Sequence, residues 1–263
     1  MLLISPCMKT ENPDSNAEWK MWGDKDPLWA VTSWKDKDKA GANPWTDAEF
    51  YELGRSDWAD FLKHWKRYGL DQSTAVEIGC GAGRLTKHMA SVFGHVHALD
   101  ISPGMIEYAK ARIQEPNIAF HLVDGNAIPL PGDSVTAVFS THVFQHFDSI
   151  DTASSYFKDV ARVLARDGTM MIHLPMVIWP CVGRLSWLIR FFRILKTIDR
   201  LNVKRKRRSI RGGGFAPLMC MNSYPVDYFH KVLPTFGFKD IEISIFATTS
   251  DNYPQSFVLA RKS

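Results

Sequence analysis

The stretch from Ala75 to Lys87, AVEIGCGAGRLTK, constrains the fold more than any other part of the chain. A short β-forming run, Ala75 to Ile78, ends in Gly79, Gly81 and Gly83, and a helix-like segment, Arg84 to Phe93, follows at once. A strand that turns directly into a helix aims backbone N–H groups and the helix N-terminus at a ligand beyond the sheet edge. Glycine suits such a turn because a side chain blocks close backbone approach, and because some positions use positive φ. A dinucleotide-binding turn reads G-x-G-x-x-G, but here its last position holds Arg84. What stands is Glu77-x-Gly79-x-Gly81-x-Gly83, an acidic residue ahead of the glycines. Arg84 and Glu77 together disfavour a nicotinamide-dependent oxidoreductase. A glycine turn with no ligand is the plain alternative.

Alternating strands and helices follow, the signature of a parallel sheet. The strands read as Thr74 to Ile78, His95 to Leu99, Ile118 to Val123, Val135 to Ser140 and, after a break at Gly168, Thr169 to Leu174. Ser102-Pro103 opens a helix running to about Gln114, with serine as N-cap and proline in the first turn. A second helix spans about Ser149 to Leu164. Open α/β sheets bind ligands at the C-terminal ends of their strands. Three groups of polar residues fall there: Asp100, then Asp124-Gly125-Asn126, then Ser140-Thr141-His142. A carboxylate at Asp100 is placed to accept both hydroxyls of a ribose.

The series VEIGCGAGRLT, ALDISPGMIEYAK, HLVDGNAIPLP and VARVLARDGTMMIHLP resembles the class I S-adenosylmethionine (SAM) methyltransferases of the ubiquinone-biosynthesis-like kind, over about residues 74–175. The resemblance implies a Rossmann-like, seven-stranded, mostly parallel sheet with the last strand antiparallel and helices on both faces. It implies SAM as cofactor and S-adenosylhomocysteine (SAH) as product. Glu77 and the glycines would hold the methionine part, Glu77 favouring its ammonium. Asp100 would take the ribose and Asp124, Gly125 and Asn126 the adenine, with Ile101 and Met105 flanking the ring. Cys80 and Arg84 in the first turn, and Ser140 and Thr141 after the fourth strand, complete the expected cofactor set. The chain departs from the pattern at Thr136, where the family usually has an acidic residue; this is a packing or surface position. The family has no fixed catalytic motif, so the acceptor is not carried over.

Methyl transfer from a sulfonium draws most of its acceleration from positioning. A base is needed only where the acceptor must lose a proton. The loop S-T-H-V-F-Q-H-F offers His142 and His146 as catalytic candidates, four residues apart and able to share one side of a helical turn. The alternative is that both cap or bond the backbone. No third ligand accompanies them, so no metal is expected. His95, His97, His121 and His173 lie on strands and read as structural.

Upstream, residues 17–70 read as a helical cap crowded with tryptophan, with helices at Trp45 to Gly54 and Ser56 to Tyr68, the second capped by Ser56. The tryptophans either pack this cap onto the core or line an acceptor pocket. WTDAEFYELGRSDW resembles the N-terminal helices of bacterial small-molecule SAM methyltransferases, which implies Tyr51 and Arg55 as cofactor contacts.

At 263 residues, 45% hydrophobic and 23% charged, the chain suits one soluble α/β domain with additions. Four cysteines without C-x-x-C spacing give neither a disulfide framework nor a zinc site, and a reducing cytoplasm is expected. No signal peptide or membrane span is read. The net charge of +4 conceals a sharp division: residues 184–211 hold eleven Lys and Arg against Asp199 alone, leaving the rest of the chain acidic. Within it, Gly183 to Leu201 can form a helix with Arg190, Arg193 and Arg200 on one face and a broad apolar face opposite. It reads as a lid over the acceptor, as a helix docking on anionic membrane, or as a grip on nucleic acid. The last is disfavoured, since no RNA-binding module accompanies it.

The expected organisation is a flexible tail (1–16), the cap (17–70), a SAM-binding core (71–175), a basic amphipathic insertion (176–223), and a C-terminal helix with two strands (224–263). The expected function is a SAM-dependent methyltransferase acting on O, N or C of a small-molecule or lipid-like acceptor, cytoplasmic and in peripheral contact with membrane through 184–211. An RNA methyltransferase using that segment and a non-catalytic SAM-binding scaffold stay open as alternatives.

Overall fold

The structure, a computed structural model, describes residues 15–32, 37, 43–177 and 222–263. Residues 1–14, Trp34, most of the lysine-rich loop, and 178–221 with the helix read at 183–201 lie outside the described residues. The chain opens with helices α1 (Ser15–Lys25), α2 (Pro27–Val31) and α3 (Asp47–Tyr68). The core follows as β1 (Thr74–Ile78), α4 (Thr86–Met89), β2 (His95–Asp100), α5 (Pro103–Arg112), β3 (Ile118–Leu122), β4 (Val135–Ser140), α6 (Ile150–Val163) and β5 (Leu164–His173). Two short strands, β6 (Met176–Val177) and β7 (Tyr224–Pro225), pair in parallel. Helix α7 (Val226–Val232) and strands β8 (Phe238–Ala247) and β9 (Pro254–Lys262) close the fold.

The seven-stranded sheet has the order β3-β2-β1-β4-β5-β9-β8. Its first five strands are parallel, and β9 runs antiparallel between β5 and β8. This is the Rossmann-like sheet expected, with the last strand reversed. The strand order turns around between β1 and β4, so a crevice is expected beyond their C-terminal ends. One face buries Val76, Ile78, Val138, Met170 and Ile172 with Phe157 and Val160 of α6 and Phe229 of α7. The other buries Ala75, Ala137, Phe139, Met171, Phe257 and Leu259 against Trp58, Phe61 and Trp65 of α3. Each large apolar side chain so covered contributes roughly 1.5–3 kcal/mol. The indole N–H of Trp65 donates to Thr169 Oγ1 at 3.0 Å, so this buried tryptophan keeps its polar end satisfied. Thr136 is a strand-bridging position: its hydroxyl meets both Thr74 N and Thr74 O at 3.1 Å.

Several boundaries differ from expectation. The two helices expected at 45–68 are one. Thr46, not Ser56, is the N-cap, in a reciprocal capping box with Glu49. Gly54 does not break α3; it lies where a Cβ would overlap the backbone carbonyl of Arg84. Helix α1 begins at Ser15, so the last two residues of the expected tail are ordered into the cap. The helix expected over 84–93 is reduced to α4 and its flanking turns. Gly168 does not interrupt β5, because Leu164 already pairs with Val135. Pro225 caps α7 while Tyr224 is engaged in β7. No helix among the described residues is long and apolar enough to cross a membrane.

Candidate cofactor and acceptor site

The glycine turn after β1 is held from within. Gly79, Gly81 and Gly83 have φ of +73°, +53° and +81°, the left-handed region that a side chain rarely enters. Leu99 O accepts from Gly79 N at 2.8 Å and from Cys80 N at 2.9 Å, and Cys80 O accepts from Gly83 N at 2.9 Å. The turn thus spends these N–H groups on the protein, and the glycines serve close packing: Val143 lies against Gly79 and Ile113 against Gly83. Asp100, at the end of β2, ties two segments together: Oδ2 accepts from Gly81 N at 2.8 Å and Oδ1 from Ser102 N at 2.9 Å. The Ile101 N–H adds a third bond to this carboxylate, which offers about four acceptor positions in all. Burial raises the Asp100 pKa above the ordinary carboxylate value, and these backbone N–H groups oppose that rise.

Glu77 departs from its expected role. Its carboxyl is 3% exposed and accepts from Thr86 Oγ1 at 2.5 Å. Burial pushes its pKa up to about 8. At neutral pH it is therefore largely a protonated acid bonded to α4, and it offers little charge to an ammonium.

The adenine candidates lie at the end of β3. Asp124 is exposed, and both its oxygens accept from Asn126, at 2.9 Å from N and from Nδ2. Those bonds to Asn126 lower the Asp124 pKa. Gly125 has φ +87° and lies beside Asn16 of α1 and Ile101. Met105 is buried, 3.1 Å from where a Cβ on Gly23 of α1 would stand. Helix α1 therefore covers the ends of β2 and β3, and Val31 of α2 reaches Gly81. Glu18, on this covering helix, has an oxygen that is buried without a partner, and burial raises its pKa. An acceptor left over at this place suits a ligand bearing hydroxyl or ammonium donors. Together with the Asp100 carboxylate, it fits the adenosyl-methionine chemistry expected.

At the end of β4, Ser140 Oγ is used structurally, donating to Ile78 O at 2.9 Å. Thr141 Oγ1 is buried with no partner. His142 has φ +58°, and its N–H donates to Nδ1 of His173 at 3.4 Å, the two rings 4.4 Å apart. His146 ends a single 3-10 turn, Phe144–His146, so the two histidines do not share a helical turn as expected. The His146 ring is edge-on to Trp19 of α1 at 5.2 Å. Burial, with the nearby Arg84 charge, pushes His142 down to about 4; burial holds His173 well below its ordinary value. Both rings are neutral at pH 7. His173 stands at the end of β5, where the rule that singles out Asp100 also applies.

The tryptophans divide. Trp58 and Trp65 pack on Phe139, while Trp19 reaches the candidate loop. Tyr51 donates its hydroxyl to Ala82 O at 3.1 Å and so touches the glycine turn, whereas Arg55 is exposed and paired with Glu52. A cavity of about 410 Å³ lies between α3, α4 and α5, lined by Asp47, Tyr51, Lys87, His88 and Arg112 among others. Of the cofactor candidates only Tyr51 lines it. No cluster of metal-ligating side chains occurs among the described residues.

A glycine turn after β1, an acidic residue ending β2 and a strand order reversing between β1 and β4 define a Rossmann-like small-ligand domain. Residues 76–172 match the family described as "Methyltransferase domain", and this region is a class I SAM-dependent methyltransferase domain. Among similar proteins, the malonyl-[acyl-carrier protein] O-methyltransferase of Hahella chejuensis is 29% identical over 141 residues, 52% of this chain and 49% of that protein. The demethylmenaquinone methyltransferase of Tropheryma whipplei is 27% identical over 116 residues, 41% of this chain and 47% of that protein. The chain thus spans about half the length of these curated relatives. The magnesium protoporphyrin IX methyltransferase from Synechocystis PCC 6803, solved with bound SAH, shares the fold at a TM-score of 0.59 and 18% identity, over 95% of this chain and 100% of that one.

Proposed function

We propose that this protein binds SAM at the C-terminal ends of β1, β2 and β3 and transfers its methyl group to an oxygen, nitrogen or carbon nucleophile of a small-molecule or lipid-like acceptor. The bound cofactor would supply an electrophilic methyl on a positive sulfur, which keeps the S–C bonding pair and leaves as the thioether of SAH. The observation that carries the reading is Asp100: at the C-terminal end of β2, beside β1, its carboxylate is fixed by the backbone N–H groups of Gly81 and Ser102. Loop 141–146, after β4, lies on the acceptor side of that crevice. The relatives named above act on an acyl-carrier-linked malonyl group and on a quinone precursor, which fits a small or carrier-bound acceptor.

Calorimetry with SAH tests the cofactor site. The wild-type chain binds, and Asp100→Ala reduces binding below detection; unchanged affinity in that variant would sink the assignment. A screen with methyl-labelled SAM separates an enzyme from a scaffold, since only an enzyme moves label to an acceptor. The basic 184–211 segment, on its sequence, supports contact with anionic membrane. Flotation with anionic vesicles that fails at high salt supports this, and no flotation at low salt rejects it.

A further inference from the structure

The cavity of about 410 Å³ between α3, α4 and α5 shares only Tyr51 with the residues expected to meet the cofactor. Its volume falls within the roughly 300–1,000 Å³ of sites that take small molecules. Asp47, Tyr51 and Glu52 line it from α3, Lys87 and His88 from α4, and Arg112 from the end of α5. Five of these six side chains are acidic or basic. The bonds they already make decide what the cavity can hold.

Its two carboxylates are spent. Oδ1 of Asp47 accepts from the Tyr108 hydroxyl, and Oδ2 accepts from Arg112 Nε at 2.8 Å. Burial alone would raise the Asp47 pKa, but its bonds to Tyr108 and Arg112, with the Lys87 charge, hold it below its ordinary value. Both oxygens of Glu52 accept from Arg55.

The cations keep donors in reserve. The Arg112 guanidinium lies 3.5 Å from the centroid of the Tyr108 ring, with Nε on Asp47 and Nη1 on Tyr108 O at 3.5 Å. Its Nη2 makes no hydrogen bond among the described residues. The Lys87 ammonium stands 4.8 Å from the centroid of the Tyr51 ring and makes no ion pair among the described residues. His88 Nε2 donates to Tyr51 O at 2.8 Å. Burial lowers the His88 pKa, so the ring is neutral at pH 7 and offers Nδ1 as an acceptor. With Glu52 cancelled by Arg55, Lys87 and Arg112 stand against Asp47 alone, and one positive charge is left over. Stacking and pairing fix the guanidinium before any ligand arrives, which lowers the cost of ordering it.

We propose that this cavity binds a small organic anion, gripping its phosphate or carboxylate group between Lys87 and Arg112. An ammonium and a guanidinium edge are the donors that such oxygens favour. His88 Nδ1 accepts from a hydroxyl on the body of the ligand. Tyr51 forms a fixed wall, because its hydroxyl donates to Ala82 O at 3.1 Å. The site stands whether or not the chain transfers methyl groups.

Calorimetric titration of the full chain at physiological salt tests this, with phenyl phosphate, benzoate and benzyl alcohol as probes. At least one anion is expected to saturate with a Kd below about 1 mM, and the tighter of the two names the group recognised. Benzyl alcohol, which has the ring without the charge, is expected not to bind. Lys87→Gln and Arg112→Gln should each weaken the anion about tenfold or more, as loss of a charge-assisted hydrogen bond implies. Arg112→Gln deprives Asp47 of its partner, so its thermal unfolding is compared with wild type. Lys87→Gln breaks no hydrogen bond or ion pair among the described residues, and it decides the matter if the Arg112 variant is unstable. Saturation by neither anion, or equal binding of benzyl alcohol, would overturn the proposal. So would unchanged anion affinity in Lys87→Gln, since the binding would then belong to the eleven Lys and Arg of 184–211.

Discussion

Glu77 gives the sharpest test of the electrostatics, because its environment reverses the usual behaviour of a carboxyl. Burial raises its pKa from 4.5 to about 8. Between those values the native state holds a proton that the unfolded chain releases, so stability falls as pH rises through the window. With each pKa unit equal to about 1.4 kcal/mol, ionisation would cost the fold roughly 1 kcal/mol at pH 5 and roughly 3 kcal/mol at pH 7. Glu77→Gln keeps the shape and a partner for Thr86 but cannot ionise. Urea unfolding of both proteins at pH 5, 6 and 7 reads the difference directly. The variant should gain roughly 2–3 kcal/mol on wild type between pH 5 and 7. Parallel stability curves would show that the carboxyl is ionised, and the buried, neutral description of Glu77 would be wrong. The same variant should bind SAH nearly as well as wild type at pH 7, since little charge is there to remove.

Gly54→Ala should lower the melting temperature: the helix-propensity gain of about 1 kcal/mol is outweighed by overpacking of about 1–3 kcal/mol against the Arg84 carbonyl, and a rise in thermal denaturation would refute the contact. His142→Asn accepts the positive φ and should leave SAH affinity near wild type while slowing turnover, as calorimetry and a labelled-methyl assay would show. Because burial depresses the His142 pKa to about 4, its contribution is lost as pH falls from 6.5 towards 4. Unfolding of wild type and His142→Asn across that window should show the smaller acid loss in the variant.

What the sequence made legible was local. β1 and β4 fall where alternation and turn residues put them, and Ser102 caps α5, because a cap depends on residues three apart. The errors are those where distant packing overrides local preference. Gly54 looks like a helix breaker until the Arg84 carbonyl is seen against it, and Gly168 looks like a strand break until Leu164 pairs with Val135. In both places tertiary contact recovers what glycine costs locally.

The candidate site divides along the same line. The position of Asp100 at the end of β2 could be read, because that place is encoded within a few residues. His173 meets the same rule at the end of β5, where its ring packs against His142 and Phe257. Asp57 and Ser250 gave no signal at all. They lie 27 residues before and 166 residues after Arg84, and only the folded chain brings them to one guanidinium. The motif therefore announces a cofactor through its glycines, while the arginine that ends it is defined by partners outside the motif.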